Sequence, residues 1–140
     1  MGAADDDSPE VPWEVLRSRA RAMTERSYAP YSGVRVGAAG ITDDGSVVEG
    51  CNVENASMGI GTCAEVNLCG AMVGTGGRHL VALAVVAGDG APIIPCGRCR
   101  QFLHEFGGSQ LLVETEYGVL TLGELLPHPF GPDDVGARAG

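Results

Sequence analysis

The sequence predicts a three-layer α/β/α sandwich built on a mixed β-sheet. Residues 80–87 (LVALAVVA) are apolar without alternation, which is typical of a strand covered on both faces. We therefore expect helices on both sides of the sheet. A predicted hairpin precedes this strand, and segments of helical character lie on either side of it in the sequence. The length of 140 residues suits one domain with a single core.

The first predicted element is a helix over residues 11–27. Pro12 suits the first turn of a helix, and apolar residues follow it at helical spacing. These residues are Trp13, Leu16, Ala20 and Met23. Residues 1–10 are small and acidic, so they are expected to form a disordered tail.

Two strands are predicted next, over residues 34–42 and 46–53. They flank Asp43-Asp44-Gly45, a sequence typical of a hairpin turn. The small residues Gly37, Ala38 and Ala39 leave unusual room on the first strand. We attribute that room to close packing against a helix rather than against a ligand.

Two further helices are predicted on either side of the apolar strand. Residues 63–73 form a helical segment that ends at a cluster of glycines, and residues 97–106 form a second one that ends at Gly107-Gly108. Residues 110–114 are expected to be a short strand.

The last predicted element is a short helix that begins with the capping box of Thr121 and Glu124. It continues through Leu126 and stops at Pro127. Residues 131–140 are expected to be a flexible tail, so a single domain is predicted over residues 11–130.

Composition excludes several classes of partner. The net charge of −9 and the pI of about 4.6 argue against binding to a nucleic-acid backbone, which needs a basic surface. No stretch approaches the roughly 18 apolar residues of a membrane span. Five cysteines without a leader-like N-terminal segment predict a reduced, cytoplasmic setting. A small, weakly charged substrate fits this composition.

Three cysteines in two short segments predict a metal site. Cys96 and Cys99 are three residues apart, so at the opening of a helix both sulfurs can face one point. Cys63 begins the helix that is predicted before the apolar strand. A catalytic zinc site takes three ligands from the protein and leaves the fourth position to water. The other two cysteines, Cys51 and Cys69, are interpreted as small core residues.

Glu65 is the candidate general acid and base beside this metal. It lies two residues after Cys63, in the first turn of the same predicted helix, and its side chain should point away from the ligand sphere. Zinc lowers the pKa of a bound water to about 7, and a nearby carboxylate can take up the proton. A non-ligating Glu after the first ligand, followed later by Pro-Cys-x-x-Cys, is the pattern of zinc nucleobase deaminases.

Three motifs together resemble the small cytidine deaminase family. They are residues 63–65 (CAE), 95–101 (PCGRCRQ) and 50–57 (GCNVENAS), and the match runs from about residue 29 to residue 127 in the family's order. The resemblance implies one zinc ion per chain. It also implies hydrolysis of cytidine and deoxycytidine to uridine and deoxyuridine with release of ammonia, a role in pyrimidine salvage, and assembly as a homotetramer.

The same resemblance implies which residues bind the nucleoside. In the family the Asn-Val-Glu-Asn motif holds the ribose, a role that carries over to Asn52, Val53 and Glu54. Ala64 carries over as a residue that contacts the substrate, and Phe130 resembles a C-terminal Phe that reaches a neighbouring subunit's site. Two alternatives stay open: the polar side chains bond the backbone of their own loop, and Phe130 is a surface anchor.

Three positions depart from the family's pattern. Many relatives carry an Arg directly after the catalytic Glu, where this chain has Val66, and usually carry aromatic residues at the positions of Val34 and Met58. Three thiolates and one Zn²⁺ sum to a charge of −1, which works against an acidic water. We expect the positive ends of two helix dipoles to offset this charge, with Arg98 and Arg100 as further donors.

Four other functions are compatible with parts of the pattern. A deaminase for a modified nucleoside such as blasticidin S shares the zinc motifs but lacks the ribose motif. A non-catalytic nucleoside-binding protein with a structural zinc needs a fourth protein ligand, which no Cys or His supplies at ligand spacing. A dithiol redox protein leaves residues 63–65 unexplained. Editing of single-stranded nucleic acid conflicts with the acidic balance and with the aromatic content of 5%.

Overall fold

The computed structural model describes residues 10–139, which form a five-stranded sheet between two layers of helices. The strands are β1 Val36–Thr42, β2 Val47–Cys51, β3 Leu80–Ala87, β4 Leu112–Thr115 and β5 Gly118–Thr121. The helices are α1 Trp13–Thr24, α2 Ala64–Gly74, α3 Gly97–Gly107, α4 Leu122–Leu125 and α5 Pro132–Arg138, with a 3₁₀ turn at Met58–Ile60.

The sheet is mixed, as predicted, with the strand order β2-β1-β3-β4-β5. Strands β1 and β2 form the predicted hairpin, and β1 also pairs with β3 in antiparallel register. Strands β3 and β4 are parallel, and α3 connects them. This crossover places the start of α3 near the end of β3. Cys96 and Cys99 lie at this start of α3.

The two faces of β3 explain its unbroken run of apolar residues. Ala82, Ala84 and Val86 pack with Leu16 and Ala20 of α1 on one face of the sheet. The alternate residues of the strand pack against the helices of the other face, so both faces are buried. This second cluster includes Leu83 and Val85 of β3, Leu68 and Met72 of α2, Leu103 of α3 and Leu122 of α4. The predicted three-layer arrangement is confirmed.

Two glycines allow helices to lie directly on the sheet. A Cβ atom at Gly37 of β1 would lie 2.0 Å from the Ala20 carbonyl oxygen of α1, and a Cβ at Gly50 of β2 would lie 2.5 Å from the Leu68 nitrogen of α2. Any larger residue would push the helix away. The room predicted around Gly37 therefore serves close packing against a helix, as expected from the sequence.

The structure differs from the predictions mainly at the ends of the chain. Helix α1 is shorter than the predicted 11–27 and has Pro12 at its N-cap. Strand β5 was not predicted, and the expected flexible tail over residues 131–140 contains helix α5, which buries no residue. Pro132 at the first position of α5 is a common helix start that the sequence analysis overlooked. Of the predicted acidic tail, only Glu10 lies within the described residues, and it is exposed.

Within residues 10–139, no helix combines the length and the apolar character that crossing a bilayer requires.

Candidate active site

Three thiols meet where the N-termini of α2 and α3 approach each other. The Sγ atoms of Cys63, Cys96 and Cys99 all lie within 4.8 Å of one another. Cys63 comes from the segment before α2, and the other two come from the start of α3. Cys99 is buried, Cys63 is half-buried and Cys96 is exposed. The structure thus brings together the three side chains that the sequence analysis grouped.

Both helices begin at a cysteine, which gives the thiols a favourable electrostatic position. Cys63 is the N-cap of α2 and Cys96 is the N-cap of α3, each with extended backbone angles. The free N–H groups of each first turn, and the positive end of each helix dipole, therefore face the sulfurs. Burial alone would raise the pKa of Cys96, but the nearby N–H groups of Cys99 and Arg98 and the Cys99 thiol hold that pKa below its ordinary value.

The other two thiols have raised pKa values. Burial raises the pKa of Cys63 and of Cys99, and the negative charge of the nearby Glu65 adds to both shifts. A divalent cation among the three sulfurs reverses this effect, because it stabilises the thiolates directly. Three soft thiolate donors, one of them buried, form a set that fits zinc.

Glu65 lies beside the three cysteines, in the first turn of α2. Its side chain is buried, with 4% of its surface exposed. The Cys99 thiol donates a hydrogen bond to its Oε1 atom at 3.5 Å. Burial raises the pKa of Glu65 above its usual value, and this is the direction that a general acid and base working near neutral pH requires.

A cavity of about 160 Å³ opens beside the cysteines and Glu65. Its walls combine apolar side chains with the polar groups of the site. The lining residues are Val36, Asn52, Cys63, Ala64, Glu65, Ile93, Ile94, Cys96 and Cys99. A larger cavity, of about 450 Å³, lies between α1, β2 and α2 and is not lined by any of the grouped cysteines or by Glu65.

The side chain of Asn52, which lines the 160 Å³ cavity, already forms three hydrogen bonds within the protein. Its Oδ1 atom accepts hydrogen bonds from the Ser27 hydroxyl at 2.5 Å and from the Val36 N–H at 2.9 Å. Its Nδ2 atom donates to the Val34 carbonyl oxygen at 2.8 Å. Because a carboxamide has two donor hydrogens, one N–H of Asn52 remains for a ligand.

Glu54 lines a second cavity, of about 220 Å³, together with Tyr31, Ser32, Asn55, Met58 and Gly61. Its Oε1 atom accepts hydrogen bonds from the N–H groups of Tyr31 and Ser32, both at 3.0 Å. Its Oε2 atom accepts a hydrogen bond from the Ser32 hydroxyl. The Ser32 hydroxyl, followed by these backbone N–H groups, holds the pKa of Glu54 below its ordinary value.

The other predicted substrate residues have different surroundings. Val53 exchanges two backbone hydrogen bonds of 2.9 Å with Thr62, so only its exposed side chain is free. Ala64 is fully buried and lines the 160 Å³ cavity. Phe130 is 58% exposed and does not line either cavity. The side chain of Gln101 on α3 holds the backbone of Phe130 through two hydrogen bonds, of 2.6 and 3.3 Å.

Arg100 braces the loop that carries two of the cysteines. Its Nε atom donates to the Pro95 carbonyl oxygen at 2.8 Å, and its Nη1 atom donates to the Leu125 carbonyl oxygen at 3.1 Å. The sequence analysis proposed Arg98 and Arg100 as donors near the sulfurs. Arg100 instead bonds backbone carbonyls, and the Arg98 side chain is exposed.

Of the three positions that depart from the family's pattern, only Met58 lines the second cavity. Met58 is 80% exposed, and Val34 is 51% exposed. Val66 is half-buried on α2. Sequence reasoning missed Ser27 and Ser32, because a serine 20 or more positions away from its partner carries no pattern of its own. Their only sequence-level hint is their position around the Tyr-Ala-Pro-Tyr turn.

Comparison with known proteins agrees with this geometry. Residues 13–115 match the family described as the cytidine and deoxycytidylate deaminase zinc-binding region. A cytidine deaminase from Mycobacterium tuberculosis is 50% identical over 127 residues, which cover 91% of this chain and 96% of that protein. A cytidine deaminase from Halalkalibacterium halodurans is 39% identical, covering 87% and 96% respectively.

Solved structures show the same fold. The crystal structure of cytidine deaminase from Mycobacterium tuberculosis superimposes with a TM-score of 0.85 at 50% identity, over 87% of this chain and 99% of that one. The cytidine deaminase structure from Burkholderia pseudomallei gives a TM-score of 0.78 at 42% identity, over 86% and 100%.

Proposed function

The chain belongs to the cytidine and deoxycytidylate deaminase family, and from this premise we propose that it hydrolyses cytidine and deoxycytidine to uridine and deoxyuridine, with release of ammonia. The observation that carries the proposal is the juxtaposition of three thiols within 4.8 Å of one another and a buried carboxylate 3.5 Å from one of them. The three cysteines and Glu65 also line the 160 Å³ cavity, which leaves room for the water and substrate that a hydrolytic site requires.

Zinc is the cofactor that this donor set fits, at one ion per chain, with Cys63, Cys96 and Cys99 as its ligands. When bound, zinc supplies a Lewis acid that makes a water molecule acidic enough to react near neutral pH. The N-termini of α2 and α3 support this assignment, because their dipoles offset part of the thiolate charge. They do so without the Arg that many relatives carry at the position of Val66.

Glu65 moves the protons of the reaction. It accepts one from the attacking water and delivers it to the ring nitrogen N3 while oxygen adds to C4. It then passes the remaining hydroxyl proton to the exocyclic amine, the C4–N bond breaks, and ammonia leaves. The burial of Glu65 and its place beside Cys99 support this role.

Asn52 and Glu54 are proposed to hold the sugar at the boundary of the two cavities. Asn52 keeps one N–H for donation, and the Oε2 atom of Glu54 keeps lone pairs for acceptance. A sugar hydroxyl is both donor and acceptor, so it can satisfy the two side chains together. Ala64 contributes to the wall around the base, and Val53 offers its exposed side chain to the sugar.

The substrate is proposed to be a nucleoside and not a nucleoside 5′-monophosphate. In the described part of the chain, neither the 160 Å³ cavity nor the 220 Å³ cavity is lined by an Arg. The carboxylates of Glu54 and Glu65 and the net charge of −9 oppose a phosphate. The cytidine deaminase names of the relatives favour cytidine over a modified nucleoside such as blasticidin S.

We also propose a homotetramer that works in pyrimidine salvage in the cytoplasm. The outward face of α2, with Gly70, Ala71, Val73 and Gly74 exposed, carries no charge, and such a face supports contact with a second copy. Phe130 is exposed and held in place by Gln101, which suits a residue that reaches a neighbouring subunit's site. Three thiolate ligands must remain reduced, and the cytoplasm provides that condition.

The direct test is ultraviolet absorbance of cytidine, deoxycytidine, deoxycytidine 5′-monophosphate and blasticidin S with the purified, zinc-assayed protein. We expect loss of the cytidine and deoxycytidine bands, one zinc per chain, and no turnover of the monophosphate. One zinc per chain without turnover of either nucleoside would overturn the proposed reaction.

A further inference from the structure

Among the described residues, the hydrogen-bond donors to the Glu54 carboxylate all come from one turn of the chain. Its Oε1 atom accepts hydrogen bonds from the Tyr31 and Ser32 N–H groups, and its Oε2 atom accepts one from the Ser32 hydroxyl. These partners lie 22 and 23 positions earlier in the sequence. A glutamate at a cavity edge would otherwise sample several rotamers, so this turn determines where its oxygens point.

Ser32 has a special place among the three donors. Its Oγ atom donates to Glu54 and accepts a hydrogen bond from the Val34 N–H at 2.9 Å. The hydroxyl proton is therefore directed by the backbone and does not rotate freely. Both backbone donors reach Oε1, so the Ser32 side chain alone fixes Oε2, which is the oxygen with fewer bonds and the greater remaining capacity to accept one.

The 220 Å³ cavity gives this arrangement a function. Tyr31, Ser32 and Glu54 line it together, whereas Asn52, two residues before Glu54 in the sequence, lines the 160 Å³ cavity with Glu65 and the cysteines. A nucleoside whose base lay beside Glu65 would therefore extend its sugar past Asn52 towards Glu54. The orientation of Oε2 then decides how well it accepts a hydrogen bond from a sugar hydroxyl.

We propose that Ser32 is a positioning residue. It orients Glu54 Oε2 towards the 2′- or 3′-hydroxyl of the sugar and so sets the selectivity for that hydroxyl. This inference rests on the proposed nucleoside deamination. Ser32 does not touch the reacting atoms, so it acts on binding of the sugar and leaves the chemical step at C4 unchanged.

The test compares Ser32→Ala and Ser32→Thr with wild type on cytidine, 2′-deoxycytidine, 3′-deoxycytidine and 2′,3′-dideoxycytidine. Ser32→Thr keeps the hydroxyl. Ser18→Ala is the matched control, because Ser18 is exposed on α1 and forms no side-chain hydrogen bond within residues 10–139. All variants are assayed for zinc and for KM and kcat separately.

We expect Ser32→Ala to raise KM for cytidine about tenfold with little change in kcat, the size expected for one charged hydrogen bond. The rise should disappear for 2′,3′-dideoxycytidine, which keeps only its 5′-hydroxyl and so has no 2′- or 3′-hydroxyl to donate a hydrogen bond to Glu54. The two monodeoxy substrates identify which of these two hydroxyls is involved. Ser32→Thr should bring KM for cytidine most of the way back to the wild-type value, and Ser18→Ala should have the wild-type KM.

Two outcomes overturn the inference. If Ser32→Ala raises KM equally for all four substrates, Ser32 only supports the local structure. If it raises KM for none of them, Glu54 is positioned without Ser32. In both cases wild-type turnover of cytidine leaves the proposed function intact, whereas absence of wild-type turnover removes the proposed function itself.

Discussion

Glu65 occupies a position from which one side chain can serve both the attacking water and the substrate ring. It lies in the first turn of α2, beside the cysteines, and the neighbouring cavity is lined by its side chain. Burial keeps competing water away and raises its pKa. Within residues 10–139, the one side-chain partner of this buried carboxylate is the Cys99 thiol, which is better explained by chemistry than by stability.

Glu65→Gln tests this role with little change of shape. We expect the variant to keep its zinc and to lose kcat by about 10²–10⁴-fold, the usual range for a general acid and base. Turnover is measured by the absorbance assay, and zinc by elemental analysis of the same sample. A variant with full zinc and near wild-type kcat would refute the assigned role.

Three of the five cysteines form the proposed metal site and two lie outside it. Cys69 is a core residue, as predicted, whereas Cys51 is only half-buried and belongs to neither core cluster. Cys96→Ala should lose most of its zinc, because two remaining thiolates hold the ion far less tightly. Cys69→Ala is the matched control: Cys69 is fully buried on α2 and burial raises its pKa to about 12, so its thiol is expected to stay protonated.

Zinc per chain after dialysis against a weak chelator distinguishes the two variants. Cys69→Ala should keep one zinc, although the cavity it creates lowers the melting temperature. Stoichiometric zinc in Cys96→Ala, or its loss in Cys69→Ala alone, would contradict the division.

The sequence predicted which side chains the structure brings together at the candidate site, but it did not predict the residues that support them. Two short spacings were enough for this prediction: Glu65 follows Cys63 by two residues, and Cys99 follows Cys96 by three. Metal coordination and helix geometry both act over such short distances in the sequence. Ser32 depends on a turn that folds against residue 54, and nothing near Ser32 in the sequence specifies that contact.

At the scale of elements, prediction succeeded where packing and periodicity agree. Strand β3 matches the predicted 80–87, because only a doubly covered strand is apolar at every position. Helix α3 matches to within one residue, between its N-cap cysteine and its terminal glycines. Strand β5 was missed, because none of its four residues is buried and it is a short edge strand that pairs with β4.

Helix α3 also connects the three clustered cysteines to the C-terminal part of the chain. Arg100 lies one residue after Cys99, and its guanidinium bonds the carbonyl oxygens of Pro95 and Leu125. One side chain therefore ties the residue before Cys96 to the end of α4. The loop that presents the Cys96 thiol is fixed from both sides.

Arg100→Ala should release zinc faster than wild type, because the Cys96 loop loses its brace. Supporting interactions of this kind typically change metal affinity 10–100-fold, so we expect dissociation to be at least about tenfold faster. Arg98→Ala is the matched control, since Arg98 is exposed two residues away.

The rate is followed by transfer of zinc to a chromogenic chelator, which reports on the metal without any assay of turnover. Equal release rates for Arg100→Ala and wild type would show that the loop holds its shape without the guanidinium.

At the scale of the whole molecule, α2 has an unusual surface. Its sequence (AEVNLCGAMVG) is apolar nearly all round, a pattern typical of a helix buried on every side. In the single chain, however, Gly70, Ala71, Val73 and Gly74 are exposed. The simplest occupant of this face is a second copy of the chain.

Gly70→Glu tests whether this face forms the proposed assembly. Within 4 Å of a Cβ at Gly70 there is only open space, so the single chain accommodates the new side chain, but a subunit packed on this face must bury an unpaired charge. We expect light scattering after size exclusion to give a smaller particle than the tetramer, with reduced turnover. Gly136→Glu, on the exposed helix α5 with equal room, should keep the wild-type mass. The same mass for both variants would place the subunit contact elsewhere on the molecule.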